Sequence, residues 1–342
     1  MTFRKFIAIP VLFCVFTGAR GQDCSVKLRD AENRFNAGLV EEVPALLKEC
    51  LDKGFTRAEE LTAYQVIIRS YLYDDKMDLA EQTMLEFLQK YPEYEIRTTD
   101  NADFIYLLGK FRVKPVVQIS LKGSANLSFI SVMERNSLSG DPVKGKYRNG
   151  SATYGLGIDA RFTITDKIEI GGGIDYSQLG FNYMEELLDF TRVNYSEKQQ
   201  RLELPLEVYY NPKHYGLFYP YIKAGTGLAM NFRTVAVVNT ENIDVNNAVP
   251  HTGEPENRNP ARNFADPLFI AGLGCKIKLP HSYFFADIST RMGLRNQSVT
   301  ENPGNLPWHY FYSDDLFRIN ALKLSVGYIY IFYRPEKREE LP

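Results

Sequence analysis

Between residues 116 and 332 the sequence holds eight stretches in which apolar and polar residues alternate, and the links between them run long, short, long, short, long, short, long. A strict period of two marks a strand whose two faces meet different surroundings. Tight turns alternating with large loops are how a small β-barrel is threaded through an outer membrane, with the turns on one side and the loops on the other. Short turns are expected at 165–167, 211–214 and 279–282, and long loops at about 130–149, 181–198, 232–264 and 299–315. The expected fold is therefore mainly β, an eight-stranded antiparallel transmembrane barrel over residues 113–334, with its first strand near 116–129.

The second stretch shows the pattern most cleanly. Tyr154, Leu156, Ile158, Ala160, Phe162 and Ile164 face one way, while Thr153, Gly155, Gly157, Asp159, Arg161 and Thr163 face the other. In a membrane barrel the apolar set meets lipid and the polar set lines the interior. The same reading places the acids Asp159, Glu169, Asp175, Glu203, Glu207 and Asp287 inside, together with the bases Arg161, Arg201, Lys223, Lys276, Lys278, Arg291 and Lys323. Eight strands enclose a space just wide enough for side chains to fill. Buried charges must pair or the desolvation cost is prohibitive, so this nearly balanced set predicts a salt-bridged plug and not a channel. Pro205 inside the fourth stretch lacks a ladder donor and needs either a bulge or an inward aim.

The flanks have other characters. Residues 1–21 carry Arg4 and Lys5, an apolar run over 6–16 and a small-x-small sequence at 19–21, as expected of a signal peptide cleaved before Gln22. Residues 22–112 show apolar spacings of three and four, expected of a periplasmic helical domain. In its second half Tyr64, Ile67, Tyr71, Ala80, Met84 and Pro92 fall at the spacings of a tetratricopeptide repeat (TPR). Two helical pairs are fewer than such repeats normally need, so either a disulfide together with the barrel's underside, or a partner, is expected to complete the core. Thr62, Gln65 and Arg69 would line the groove face and are the candidate partner-binding residues. Antiparallel helices joined near Gly38 bring Cys24 and Cys50 together, and a disulfide is expected in an oxidising periplasm. Cys275 falls among outward apolar positions. A further helix is expected at 101–110, entered through Asp100 as a cap and followed by Pro115. The helical domain should sit under the periplasmic mouth, and 335–342 should form a charged periplasmic tail.

The chemistry-bearing residues are sparse. His214 and His281 fall in short turns, while His251 and His309 fall in long loops. His251 has Glu254 and Glu256 nearby, and His309 has Ser313, Asp314 and Asp315, but polar loops often hold such neighbours and no nucleophile motif is present. No Cys/His spacing suggests a metal, and neither an enzyme nor a cofactor is expected. A net charge of −2 with scattered Lys and Arg gives no reason to expect nucleic acid.

The chain resembles the PorT-like family of small outer-membrane barrels of Bacteroidota. The resemblance rests on the signal peptide, the first strand Ile119-Ser120-Leu121-Lys122-Gly123-Ser124-Ala125-Asn126, the strands at 154–164 and 219–231, and the helical prefix from Cys24 to Phe111-Arg112. Some relatives take part in protein secretion or gliding machinery. The family has no catalytic signature, so no site residue carries over, and the helical prefix departs from the plain barrel. The expected function is a non-catalytic anchor, embedded in outer-membrane lipid of a Gram-negative cell, that presents a helical module to a protein partner in an envelope assembly or secretion complex. The alternatives are a lipid- or peptide-modifying enzyme and a small pore or surface receptor using the long loops.

Overall fold

The computed structural model describes residues 18–135, 145–187, 191–212, 215–242, 251–299, 312 and 314–338. Of the expected signal peptide only 18–21 falls among them. The chain divides into two units, Pro115–Phe332 and the residues on either side of it.

Eight long strands form a ring: β1 Phe111–Glu134, β2 Thr153–Thr165, β3 Ile168–Leu187, β4 Thr191–Tyr210, β5 Phe218–Asn242, β6 Ala265–Leu279, β7 Ser282–Gly293 and β8 Leu316–Lys337. Each lies beside its successor in sequence, and β8 returns to β1, so the sheet closes on itself. Closure leaves no unpaired edge, which a bilayer demands because lipid offers no hydrogen bonds.

The polarity of this ring is inside out. Leu121, Leu156, Ile158, Leu206, Ile222, Leu273 and Leu324 all lie on the outer surface, Leu206 at 60% exposure. Asp159, Arg161, Asp175, Glu203, Lys223 and Lys323 are buried, Asp175 at 0%. A water-soluble sandwich would bury the first set and expose the second, because apolar area removed from water contributes about 25 cal/mol per Å² and buried charge is costly. Only a lipid surround makes this arrangement favourable. Cys275 is half-buried on the outward face of β6 beside Leu273 and Ile277. Pro205 takes the inward aim. The β3–β4 ladder steps around it, pairing Gly172 with Leu206 and next Asp175 with Glu203.

The strands run longer than their sequence pattern suggests. The expected loop at 181–198 is largely a continuation of β3 and β4, and the one at 232–264 is partly β5, which bulges at Phe232 and runs on to Asn242. Within the expected loop at 130–149, Lys146–Asn149 pairs with β3. The reason is a reversal of polarity along the strands. Above Tyr176 and Leu202 the outward positions turn polar (Gln178, Asn182, Lys198, Gln200) while the inward ones turn apolar. Leu179, Phe181, Tyr183, Val193, Tyr195 and Phe317 form a core there. The outer medium has changed from lipid to water, so the same alternation continues with its sign inverted. The first strand likewise begins at Phe111, ahead of the expected 116, and Pro115 lies within it.

Among its described residues the smaller unit holds five α-helices: α1 Gly18–Asn36, α2 Val43–Lys53, α3 Arg57–Tyr73, α4 Met77–Lys90 and α5 Ala102–Gly109. The turn after α1 uses Gly38 at φ +84°, a backbone region that favours glycine. Pro44 sits in the first turn of α2, where no amide donor is missed. A capping box between Thr56 and Glu59 starts α3. The cap of α5 is Asn101, whose side chain accepts from the Asp103 amide, and not the expected Asp100. Asp100 instead accepts from Tyr94, Gln65 and the Arg97 amide. The core is completed within the unit itself, where Phe104, Leu107 and Phe111 pack on Tyr64, Ile68, Met84 and Phe87. This short third element shares with the disulfide a task expected of the disulfide with the barrel's underside, or of a partner. In the segment expected as a charged tail, Lys337 pairs with Glu81 and Glu336 with Arg112 and Lys114, and just before it Tyr333 donates to Glu93, all within this unit.

Candidate functional site

Asp175 on β3 is the centre of the barrel interior. Its carboxylate lies 2.9 Å from Lys122 of β1, 2.8 Å from Arg291 of β7 and 2.8 Å from Lys323 of β8. Lys122 also pairs with Asp159 at 2.8 Å, and Arg291 with Glu203. Lower in the lumen, Lys276 of β6 reaches Glu169 of β3 at 2.8 Å, and Gln118 donates to the same carboxylate. Lys223 pairs with Asp287 at 3.0 Å and lies 3.6 Å from Glu207, while Tyr221 and Tyr209 donate to Asp287 and Glu207. The Arg161 guanidinium sits over the rings of Tyr209 (4.1 Å), Phe285 (5.3 Å) and Tyr221 (5.7 Å), a cation–π cage.

β3 and β7 lie on opposite walls of the eight-membered ring, so the Arg291–Asp175 pair spans the lumen. The Lys323–Asp175 and Lys276–Glu169 pairs cross nearly as far. Charges that meet from opposite walls fill the space between them. All the expected interior charges are buried except Lys278, which is half-buried next to the short turn after β6.

The sequence reading missed a second layer nearer the long-loop end. Arg262 holds Glu197 at 2.6 Å and Asp314 at 2.8 Å, and Arg258 also pairs with Asp314. Tyr195 donates to Glu197 and stacks on Tyr312 with centroids 3.8 Å apart. Below this, Arg201 lies 3.7 Å from Asp266, and Gln297 bonds to both. Glu197, Arg258, Arg262 and Asp314 all lie in segments expected as loops; the reversed alternation along 179–197 signalled Glu197, and no pattern signalled the other three. Lys122 was legible, since Ile119 and Leu121 facing out put it inside.

In the helical unit the Cys24–Cys50 disulfide is formed, with Cα atoms 5.7 Å apart. The three candidate partner-binding residues share one side of α3, and the chain itself engages them. Thr62 donates back to the Ala58 carbonyl at 3.2 Å. Gln65 donates to Tyr94 and Asp100, both at 2.9 Å. Arg69 lies over the Phe35 ring at 4.4 Å. Beyond them the exposed Tyr73 reaches Asp103, and Tyr106 stands open on α5.

Tyr94 supplies a pH dependence. Burial, and then its hydrogen bond to Asp100, pushes the phenol up to about 12. Tyr91, buried and bonded to Glu60, shifts in the same direction. A phenol with a higher pKa folded than unfolded favours the fold while protonated. Its contribution is whole below the unfolded value of about 10 and is lost as pH rises towards 12. The melting temperature of the helical unit should fall across that window, and Tyr94→Phe should flatten the fall. Identical alkaline curves for the two proteins would contradict this.

Of the histidines weighed for catalysis, His214 and His309 lie outside the described residues, as does Ser313. Asp314, a neighbour of His309 in sequence, is engaged by two arginines. Among the described residues no group of three or more His, Cys, Asp or Glu is placed to hold a metal ion.

Solved outer-membrane barrels resemble this chain. OprG from Pseudomonas aeruginosa is 12% identical over 64% of this chain and 97% of its own, with a TM-score of 0.35. Neisserial surface protein A is 13% identical over 63% and 97%, at 0.31. Ail, the attachment invasion locus protein of Yersinia pestis, is 11% identical over 64% and 100%, at 0.29. No known protein family and no curated protein matches the sequence. Identities this low speak to the fold alone. The chain folds as a small outer-membrane-type β-barrel, as its own inside-out polarity requires.

Proposed function

We propose that this protein is a non-catalytic outer-membrane anchor that displays its helical repeat to a protein partner in the periplasm. The observation that carries this reading is the lumen, crossed by ion pairs from wall to wall. A closed barrel secures a chain in the bilayer without conducting, which leaves the attached unit as the working part. Connectivity supports this orientation. β1 begins and β8 ends at the short-turn end, and short turns face the periplasm in such barrels. The docking surface is the side of α3 carrying Thr62 and Arg69, continued by Tyr73 and Tyr106. Aromatic side chains with an arginine are the groups that most often dominate binding energy. The PorT-like kinship belongs to the same proposal, with a place in an envelope assembly.

Crosslinking in intact outer membranes tests it, comparing the full chain with one lacking 24–100 and with a Tyr73→Ala/Tyr106→Ala variant. The expected result is a specific partner captured by the full chain, absent on deletion and weakened at least about tenfold by the double variant. The same proteins captured by all three would reduce the helical unit to a spacer.

A further inference from the structure

We propose that the outer wall of the barrel carries a binding site for the phosphate-bearing headgroup of a membrane lipid, at a notch between β2, β3 and β4. The β2–β3 ladder ends at Gly155 and Ser177, and β3 next pairs at Phe181 with Asn149 of the returning segment. Between these points the backbone of 178–180 has no strand partner on that side. The carbonyls of Gln178 and Gly180 are taken from within by side chains, Asn126 and Thr153 donating to Gln178 and Ser128 to Gly180. Outside, a cavity of about 230 Å³ remains, lined by Ser151, Gln178, Asn182, Ser196 and Lys198 among others. Gly180 leaves it open, because this outward position of β3 has no side chain to fill it.

Height and charge identify the occupant. Tyr154, Tyr176 and Phe232 form an outward aromatic row with rings 6.1 Å apart, the usual mark of a membrane boundary. Tyr154 itself lines the notch. Below that row the wall is apolar, with Leu156, Ile158 and Leu204 exposed. Immediately above it stand Lys198 and, on β5 opposite Gln200, the exposed Arg233. The one carboxylate among the lining residues, Glu197, turns inward to Arg262. The notch therefore offers an ammonium, hydroxyls and amides, with a guanidinium beside it, to an anion held at headgroup depth. An apolar tail would lie on the wall below, which free phosphate cannot use.

The full chain, reconstituted in phosphatidylcholine nanodiscs doped with a few per cent of phosphatidic acid, provides the test. Native mass spectrometry would read the lipid retained, for the parent and for Lys198→Glu/Arg233→Glu. Both positions are exposed, and unchanged heat-modifiable mobility on gels would show that the variant barrel is intact. The parent should enrich phosphatidic acid, and the variant should lose about tenfold of that enrichment, since each basic group near a membrane surface contributes several-fold. Millimolar inorganic phosphate should not displace the lipid. Equal retention by both proteins, or no enrichment by the parent, would overturn the site. Displacement by phosphate alone would overturn the lipid assignment in favour of a free anion.

Discussion

Asp175→Ala should destabilise the barrel by about 3–5 kcal/mol, the range for removing one partner from a buried ion pair. The upper end applies because one carboxylate answers three cations, Lys122, Arg291 and Lys323, each within 2.9 Å of it and all buried. Taking it away leaves charge uncompensated in a lumen where no bulk water screens it. Glu203 still faces Arg291 and lies 4.0 Å from Lys323, and Asp159 still faces Lys122, so the loss stops short of unfolding. Urea unfolding in lipid vesicles measures it. Adding Lys323→Met should return part of the stability, because the second change removes a charge that the first had stranded. A loss under about 1 kcal/mol, the scale of an exposed pair, would mean that water reaches the lumen and that the interior is not a packed plug.

Reduction of the Cys24–Cys50 disulfide should cost the helical unit about 3 kcal/mol, because the bridge closes a loop with a sequence separation of 26. Burial adds to the effect. Leu28 and Ala31 of α1 pack on Val43, Leu47, Ala63, Val66 and Ile67, and this small core holds α1 to the rest. With the bridge gone, α1 depends on that core alone, and units of this size have little stability to spare. Cys24→Ala/Cys50→Ala should behave like the reduced protein. The check is far-ultraviolet circular dichroism on heating with and without reductant, together with limited proteolysis at the 36–43 turn. An unchanged melt and an unchanged cleavage rate would show that the helices hold without the bridge.

Much of this was legible in the sequence, and the misses have a common cause. The period of two in 154–164 gave both faces of β2 because one medium, lipid, borders that strand along its length. The same logic placed Asp175, Arg291 and Lys323 inside, although nothing in a single strand says that they meet. It failed at Tyr183, Tyr195 and Glu197, where the strand leaves lipid for water and the polarity of its faces inverts. Arg262 and Asp314 were missed because they lie outside any alternating run, and only the folded chain brings them to Glu197. In the helical unit the TPR spacing found α3 and α4, whereas α5 is too short to announce that it closes the core. Thr62, Gln65 and Arg69 share one side of α3, but spacing along a helix does not reveal that Tyr94 and Asp100 already occupy Gln65.

Single-channel recording of the purified full chain in planar lipid bilayers tests the closed barrel most directly. The ion pairs that cross the lumen predict no steady conductance above that of the bare bilayer at moderate voltage, for the parent protein. Asp175→Ala, if it remains inserted, should show transient openings. A stable, voltage-independent conductance from the parent would contradict the plugged interior, and with it the reading of the barrel as an anchor.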